Sequence, residues 1–340
     1  MADFIQPVKN NNDVVRGELI AGLTAAAAAV APKYLYDALG SQLFEAICAL
    51  PEYYPTRTEA AIFAQQAQQI AARCGAGTTL IDLGAGNCAK AARLFPVLRP
   101  EQYVALDISA EFLQDALARL QQRFPAITMA GIGIDFSSRL ELPPSVRQQR
   151  RLFFYPGSSI GNFSPPQALA FLRRIRAACQ PNGTADGGLL IGVDLVKDHT
   201  TLEAAYDDAL GVTAAFNLNL LRHLNSLLEA DFDVREWRHR GFFNAAQGRI
   251  EMHLEARTDL VVHWAGGQRR FLEGERIHTE NSYKYTPAAF AQLLEQAGFG
   301  AIHSWTDAQG WFMVCHARAV TSDAIRMGSA YHASGEESPP

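Results

Sequence analysis

Ile277 to Tyr285 reads IHTENSYKY, and it brings His278, Glu280, Asn281, Ser282, Lys284 and two tyrosines together with almost nothing apolar between them. Such a run makes a poor core strand and a poor simple turn. It suits the lining of a pocket for a small polar molecule, because it supplies donors and acceptors that an apolar wall lacks. A second chemical feature stands far upstream, where Leu80 to Lys90 reads LIDLGAGNCAK, an apolar strand running into a glycine turn. Gly84 and Gly86 permit a tight turn and the close approach of a ligand to the backbone. Asp107 ends the next strand, about twenty residues on, where an acid can take both hydroxyls of a ribose. NAD(H) and S-adenosylmethionine both fit this arrangement. Gly84, Gly86 and Ala89 match the dinucleotide spacing as well, so the turn alone leaves the two open.

Other residues fall at places where ligands bind in such folds. Asp135-Phe136 ends a third strand; the acid would accept from an adenine amino group and the ring would cover its face, although a strand-ending acid also serves as a cap. Lys90, in the first turn of a helix, reaches toward a ligand carboxylate or simply toward solvent. Tyr155 to Phe163 (YPGSSIGNF) follows a fourth strand, and Asn162 offers both a donor and an acceptor in a glycine-rich loop. Tyr53 and Tyr54 stand between prolines in LPEYYPTRTE. Tyr206 in AAYDD divides evenly between core packing and ligand contact. Met252 lies on the apolar face of an alternating strand, Arg249 to Glu255, where core packing is the default.

The elements that must position these groups alternate. Strands are predicted at Thr79–Leu83, Gln102–Ile108, Ile127–Ile134, Leu152–Tyr155 and Leu189–Leu195, with helices at Ala89–Phe95, Glu111–Phe124 and Pro165–Cys179. This rhythm predicts a parallel, doubly wound sheet. A long helical stretch from His199 to Ala230 breaks it, followed by antiparallel strands through Trp264. A helix over Ala288–Gln296 and two last strands, Ala301–Thr306 and Trp311–Ala317, would return to the sheet as an antiparallel edge. The ligand site is expected at the carboxyl ends of the parallel strands.

The chain has 340 residues, 48% of them hydrophobic and 19% charged, with net charge -5. That composition suits a globular protein with a sizeable core and shows no basic stripe for nucleic acid. The apolar run Ala25 to Val30 is far short of the ~20 residues of a membrane span. Five scattered cysteines predict reduced thiols and a cytoplasmic setting, and no ligand spacing predicts a metal. The small, polar end of the chain, HASGEESPP, is expected to fray.

Read in order, YLYDALGSQLFEAICALPEYYPTRTE, LGAGN–K, FFYPGSSIGNF, DLVKD, AAYDDALGVTAAFNLNLL, RIEMHL and IHTENSYKY resemble the histidine Nα-methyltransferases of ergothioneine biosynthesis. The resemblance runs through residues 30–320. It implies a Rossmann-like α/β sheet of the class I methyltransferase type, doubly wound with an antiparallel last strand, and a second α+β substrate-binding lobe. On that reading residues 55–197 and 286–321 form the methyltransferase domain, 1–54 and 198–285 the lobe, and 322–340 a flexible tail. The implied reaction transfers methyl groups from S-adenosylmethionine to the α-amino group of L-histidine three times, giving hercynine and S-adenosylhomocysteine. Gly84, Gly86, Lys90, Asp107, Asp135 and Phe136 match the cofactor positions. Tyr54, Asn162, Tyr206, Met252, Glu280 and Ser282 match the histidine positions, and Tyr36 a tyrosine near the reacting amine. LGAGNCAK departs from the usual glycine-serine-glycine turn, but Ala85, Asn87 and Cys88 are small. A monomer acting on L-histidine, with no nucleic-acid or membrane partner, is expected. Two readings compete: an N-methyltransferase for another aromatic amino acid such as a tryptophan derivative, and a nicotinamide-dependent oxidoreductase. An indole pocket would not need the Glu280–Ser282 pair, and the oxidoreductase reading finds no second mononucleotide half.

Overall fold

The computed structural model describes residues 3–5, 12–180 and 186–320; the end of the chain expected to fray lies outside them. Its strands are β1 (Asp3–Ile5), β2 (Ala28–Ala29), β3 (Thr79–Leu83), β4 (Gln102–Asp107), β5 (Thr128–Gly133), β6 (Arg151–Tyr155), β7 (Gly188–Asp194), β8 (Trp237–Asn244), β9 (Arg249–Ala256), β10 (Leu260–Trp264), β11 (Gly267–Phe271), β12 (Arg276–Tyr283), β13 (Phe299–Thr306) and β14 (Phe312–Ala319). The helices are α1 (Asn12–Thr24), α2 (Ala38–Cys48), α3 (Tyr54–Cys74), α4 (Ala89–Leu98), α5 (Ala110–Arg123), α6 (Pro165–Cys179), α7 (His199–Ala204), α8 (Val212–Leu228) and α9 (Pro287–Gln296).

The main sheet has the order β1-β5-β4-β3-β6-β7-β14-β13. All pairings from β5 to β7 are parallel, and β14 runs antiparallel to β7 and to β13. Every residue of β3, β6 and β7 is buried, as the continuous apolar runs require when helices cover both faces. Alternate side chains divide between the faces. Ile81, Val104 and Phe153 pack with Phe171 of α6 and Phe290 of α9. Leu80, Tyr103 and Leu152 pack with Phe63 of α3, Phe95 of α4 and Leu117 of α5. This is the doubly wound architecture with an antiparallel last strand that the sequence predicts. Strand order reverses between β3 and β6, so a crevice opens at their carboxyl ends.

The second lobe is built on a smaller sheet, β2-β12-β9-β8, with the β10-β11 hairpin beside it. Its core joins Phe216, Leu220 and Leu224 of α8 to Trp237, Ile250, Leu254 and Phe271. Among the described residues no helix is long and apolar enough to cross a membrane.

Three expectations change. The helical stretch from His199 splits into α7 and α8, because the Asp208 carboxylate accepts from the backbone N–H groups of Val212 (3.0 Å) and Thr213 (2.7 Å) while Gly211 takes φ 75°. Tyr206 therefore sits in a turn, not on a helix. The polar cluster is a strand after all: β12 pairs with both β2 and β9. A shift of register between His278 and Glu280 puts Glu280 opposite Met252 and Ser282 opposite Ile250, on the lobe's inner side, while His278 faces His253. The polar groups find partners there, as with the Thr279 hydroxyl donating to the Met252 carbonyl at 3.0 Å. Lastly, Asp3–Ile5 pairs with β5 and so stands in the main sheet, not the lobe.

Candidate functional site

A cavity of about 1260 Å³ lies between the carboxyl ends of the parallel strands and the lobe. Gly84, Gly86, Lys90, Asp107, Asp135, Phe136, Asn162, Tyr36 and Glu280 all line it. It is large enough to take a nucleoside cofactor and an amino acid side by side.

At the sheet end the glycine turn carries φ 72° at Gly84 and 51° at Gly86, conformations that a side chain would strain. Asp107 braces the turn: its Oδ2 accepts from the Gly86 N–H at 2.8 Å and its Oδ1 from the Ser109 N–H at 2.9 Å. Each oxygen keeps a lone pair for a further donor. Burial raises this acid, against the pull of those N–H groups. Asp135 accepts from the Ser137 N–H and hydroxyl and from Lys33 Nζ at 3.2 Å. Burial would raise its carboxyl, but Ser137 and Lys33 outweigh that and hold it below the usual range. Phe136 packs on Tyr155 and Phe171. Lys90, on the cavity wall, donates from Nζ to Glu59 Oε2 at 2.7 Å. Glu59, 1% exposed, also accepts from the Gly157 N–H at 2.7 Å and so ties α3 to the loop after β6.

At the lobe end the central group is Glu280. It is buried on the cavity wall, and its Oε2 has no hydrogen-bond partner among the described residues. Burial pushes its carboxyl up to about 7, with Lys284 pulling the other way. Tyr36 packs edge-on against Phe44 and Phe216. Burial, and after it the charge of Glu280, pushes its phenol well above the ordinary value, so it stays protonated at neutral pH. The Asn162 loop approaches β12 closely at Gly161, where a Cβ would stand 2.9 Å from the Tyr283 carbonyl oxygen. Only glycine fits there.

Four expected residues are not on the wall. Tyr54 is turned away: its hydroxyl donates to both oxygens of Asp194, at 2.8 and 2.7 Å. Its neighbour Tyr53 lines the cavity instead. Position 54 opens α3 on the side facing Asp194, and adjacent helical positions point in different directions. Ser282, Tyr206 and Met252 stand in the layer behind Glu280. The Tyr206 hydroxyl is 2.7 Å from Ser282 Oγ, and its ring meets Tyr53 edge-on. Lys284, with 0% side-chain exposure, donates to Ser282 Oγ (2.6 Å), Tyr206 (3.2 Å) and Asp194 Oδ2 (2.7 Å). Lys197 reaches Asp194 Oδ1 at 2.6 Å. Burial would raise Asp194, but the two lysines outweigh it and hold the acid low.

Glu59, Asp194 and Lys197 carry roles that the sequence reading leaves unassigned. A signal exists for Asp194, which ends the otherwise apolar run GLLIGVD; a charge carried into such a run demands buried partners. Asp82 gives the same signal within TLIDL. It lines the cavity, accepts from the Tyr103 hydroxyl at 2.7 Å and leaves Oδ1 without a described partner.

Comparison with known proteins agrees with this architecture. Residues 15–319 match the family described as histidine-specific, SAM-dependent methyltransferases. The histidine N-alpha-methyltransferase of Mycolicibacterium smegmatis is 40% identical over 306 residues, 88% of this chain and 93% of that protein. The enzyme of the same name from Mycobacterium tuberculosis is 38% identical over 305 residues, 88% of this chain and 92% of the relative. Ergothioneine biosynthesis protein 1 of Neurospora crassa is 32% identical over 281 residues, 80% of this chain and 31% of that longer protein. A glycine turn braced by Asp107, a cavity shared with a second lobe and a match through nearly the whole chain agree, and the chain belongs to the SAM-dependent, histidine-specific methyltransferase family.

Proposed function

We propose that this enzyme methylates the α-amino group of L-histidine three times, giving hercynine, within ergothioneine biosynthesis. The observation that carries the reading is Glu280: a buried carboxylate on the cavity wall with one oxygen unpartnered. Such a group calls for a donor from the ligand. An imidazole N–H supplies it, whereas the side chains of Phe or Leu would leave it unpaired. Ser282 and Met252 share the face of Glu280 one layer behind the wall, and we assign them the support of the ring-binding end of the cavity. Asn162 and Tyr53 are assigned the carboxylate, with Tyr206 holding Tyr53 and Ser282 in place.

The cofactor end fits S-adenosylmethionine. The positive-φ glycines leave the backbone bare, Asp107 keeps lone pairs for the ribose hydroxyls, Asp135 and Phe136 frame the adenine, and the Lys90–Glu59 pair ties α4 to α3 on the cavity wall. When bound, it supplies a methyl group on a cationic sulfur and leaves as S-adenosylhomocysteine. The protein's part is alignment, because in-line displacement demands an unprotonated amine held at a fixed distance and angle. Before each transfer the ammonium sheds one proton. Tyr36, the catalytic candidate, keeps its own proton; its oxygen accepts from the remaining N–H of the amine in the first two transfers and orients the lone pair, while the shed proton leaves to water. In the third transfer, where the unprotonated amine has no N–H, its ring only walls the site. The methyltransferase domain is assigned to residues 55–197 and 286–321, and the lobe to 198–285 with the N-terminal helices. The monomer is our reading from the sequence, and five free thiols support a reducing, cytoplasmic setting.

Calorimetric titration tests the substrate. With S-adenosylhomocysteine present, L-histidine is expected to bind saturably and L-phenylalanine and L-tryptophan at least about a hundredfold more weakly. Equal binding of the three would remove Glu280 from substrate choice.

A further inference from the structure

At the opposite edge of the main sheet, where the parallel strands begin, a second cavity of about 290 Å³ opens beside Thr78 before β3, Arg151 at the start of β6 and Gly188 at the start of β7. Its wall carries Arg73, Arg150, Arg151 and Arg318 and one carboxylate, Asp186. Arg151 is committed to the fold, donating to the carbonyls of Arg147, Ala178 and Val146. Arg73, Arg150 and Arg318 are exposed at the mouth. Asp186 is turned in part to the backbone, where its Oδ2 accepts from the Arg150 N–H at 3.1 Å.

A cluster of arginines by itself is only a charged surface. Here two buried polar groups on the same wall lack partners. Thr78, 2% exposed, leaves its Oγ1 without a hydrogen bond among the described residues, and His316, 3% exposed, leaves its Nδ1 so. Native proteins rarely bury such groups unmatched. A hydroxyl that needs an acceptor and an unpartnered ring nitrogen that can donate in one tautomer, below a ring of guanidinium forks, suit one class of ligand: a compact, multiply charged anion with several oxygens. A lone carboxylate would satisfy too few of these donors, and a cavity of this size excludes a polymer.

We propose that this cavity is a binding site for a phosphate-class oxyanion, held by Arg73, Arg150 and Arg318 and hydrogen-bonded by Thr78 and His316. The site lies at the ends of β3, β6 and β7 remote from the substrate cavity, so its ligand takes no part in methyl transfer. His316 agrees with a positive site. Burial, and then the charges of Arg318 and Arg73, hold its imidazole down at about 4, so the ring is neutral and carries one N–H.

Inorganic phosphate is titrated into the full chain at constant ionic strength in sodium chloride, with heats and the His316 ring resonances followed together. Saturable binding that shifts His316 is expected, weakened at least about tenfold in Arg73→Gln/Arg318→Gln and again in Thr78→Val. Histidine methylation measured without phosphate should stay within about twofold in the arginine variant, which shows that it folds. A parallel titration with glycerol 2-phosphate identifies the source: comparable binding means a phosphomonoester, and binding of inorganic phosphate alone means the free ion. Non-saturating heats, an unmoved His316, or equal binding by the arginine variant would mean an adventitious ion only and overturn the site.

Discussion

Replacing Glu280 by alanine should raise the histidine KM by about 10- to 150-fold while leaving the S-adenosylmethionine KM within about twofold, the span expected for losing one charge-assisted hydrogen bond of ~1.5–3 kcal/mol. The split matters more than the size. Glu280 stands on β12 of the lobe, away from the glycine turn on β3, so a loss confined to histidine is what its position demands. Steady-state kinetics with each substrate varied in turn provides the check. Equal loss for both substrates would mean that Glu280 holds the cavity together and does not recognise the ring. Glu280→Gln should recover part of the loss, because an amide oxygen still accepts the imidazole N–H.

Asp194→Asn should be the most destabilising of the polar changes. The side chain keeps its shape, but Lys284 and Lys197, with side-chain exposures of 0% and 3%, lose the acid that sits 2.7 and 2.6 Å from their Nζ atoms. Breaking a buried pair from one side costs about 3–5 kcal/mol, since the partner charge remains in the interior. Here two cations are left, and the cost belongs at the upper end. Lys284→Met added to Asp194→Asn should recover part of it, as removing both partners of a buried pair often does. Urea denaturation of the two variants and the parent measures this directly. A double variant no more stable than Asp194→Asn would show that the loss comes from the Tyr54 hydroxyl and not from the lysines. The same network holds Ser282 and Tyr206, so Asp194→Asn should also raise the histidine KM.

The main sheet was legible because each of its signals is local. Strands such as TLIDL and RLFFY are largely apolar and are followed by glycine or proline, as a parallel sheet with both faces covered requires. The glycine turn and Asp107 were legible for the same reason: one hydrogen bond, from the Gly86 N–H to the Asp107 carboxylate, joins them across a short stretch of chain. The lobe was harder. Nothing local in IHTENSYKY announces a strand, since Thr279, Ser282 and Lys284 find their partners on β7, β9 and the turn after α7, all distant in sequence. The choice between Tyr53 and Tyr54 rested on where the first turn of α3 begins, and a single residue rotates a side chain from the cavity wall to Asp194. Asp194 and Lys284 show the limit most clearly. Each is conspicuous alone, a charge beside apolar or polar neighbours, yet their meaning lies in a contact across 90 residues of chain.

The central claim is that one cavity carries L-histidine through successive methyl transfers, and mass spectrometry of the reaction tests it most directly. The purified protein is incubated with L-histidine and excess S-adenosylmethionine, and the amino acid is followed with time. Species heavier by one, two and three methyl groups should appear, converging on the trimethylated form, with fragmentation placing every methyl group on the α-nitrogen. Methylation of a ring nitrogen, or no change in histidine while another aromatic amino acid is methylated, would contradict it.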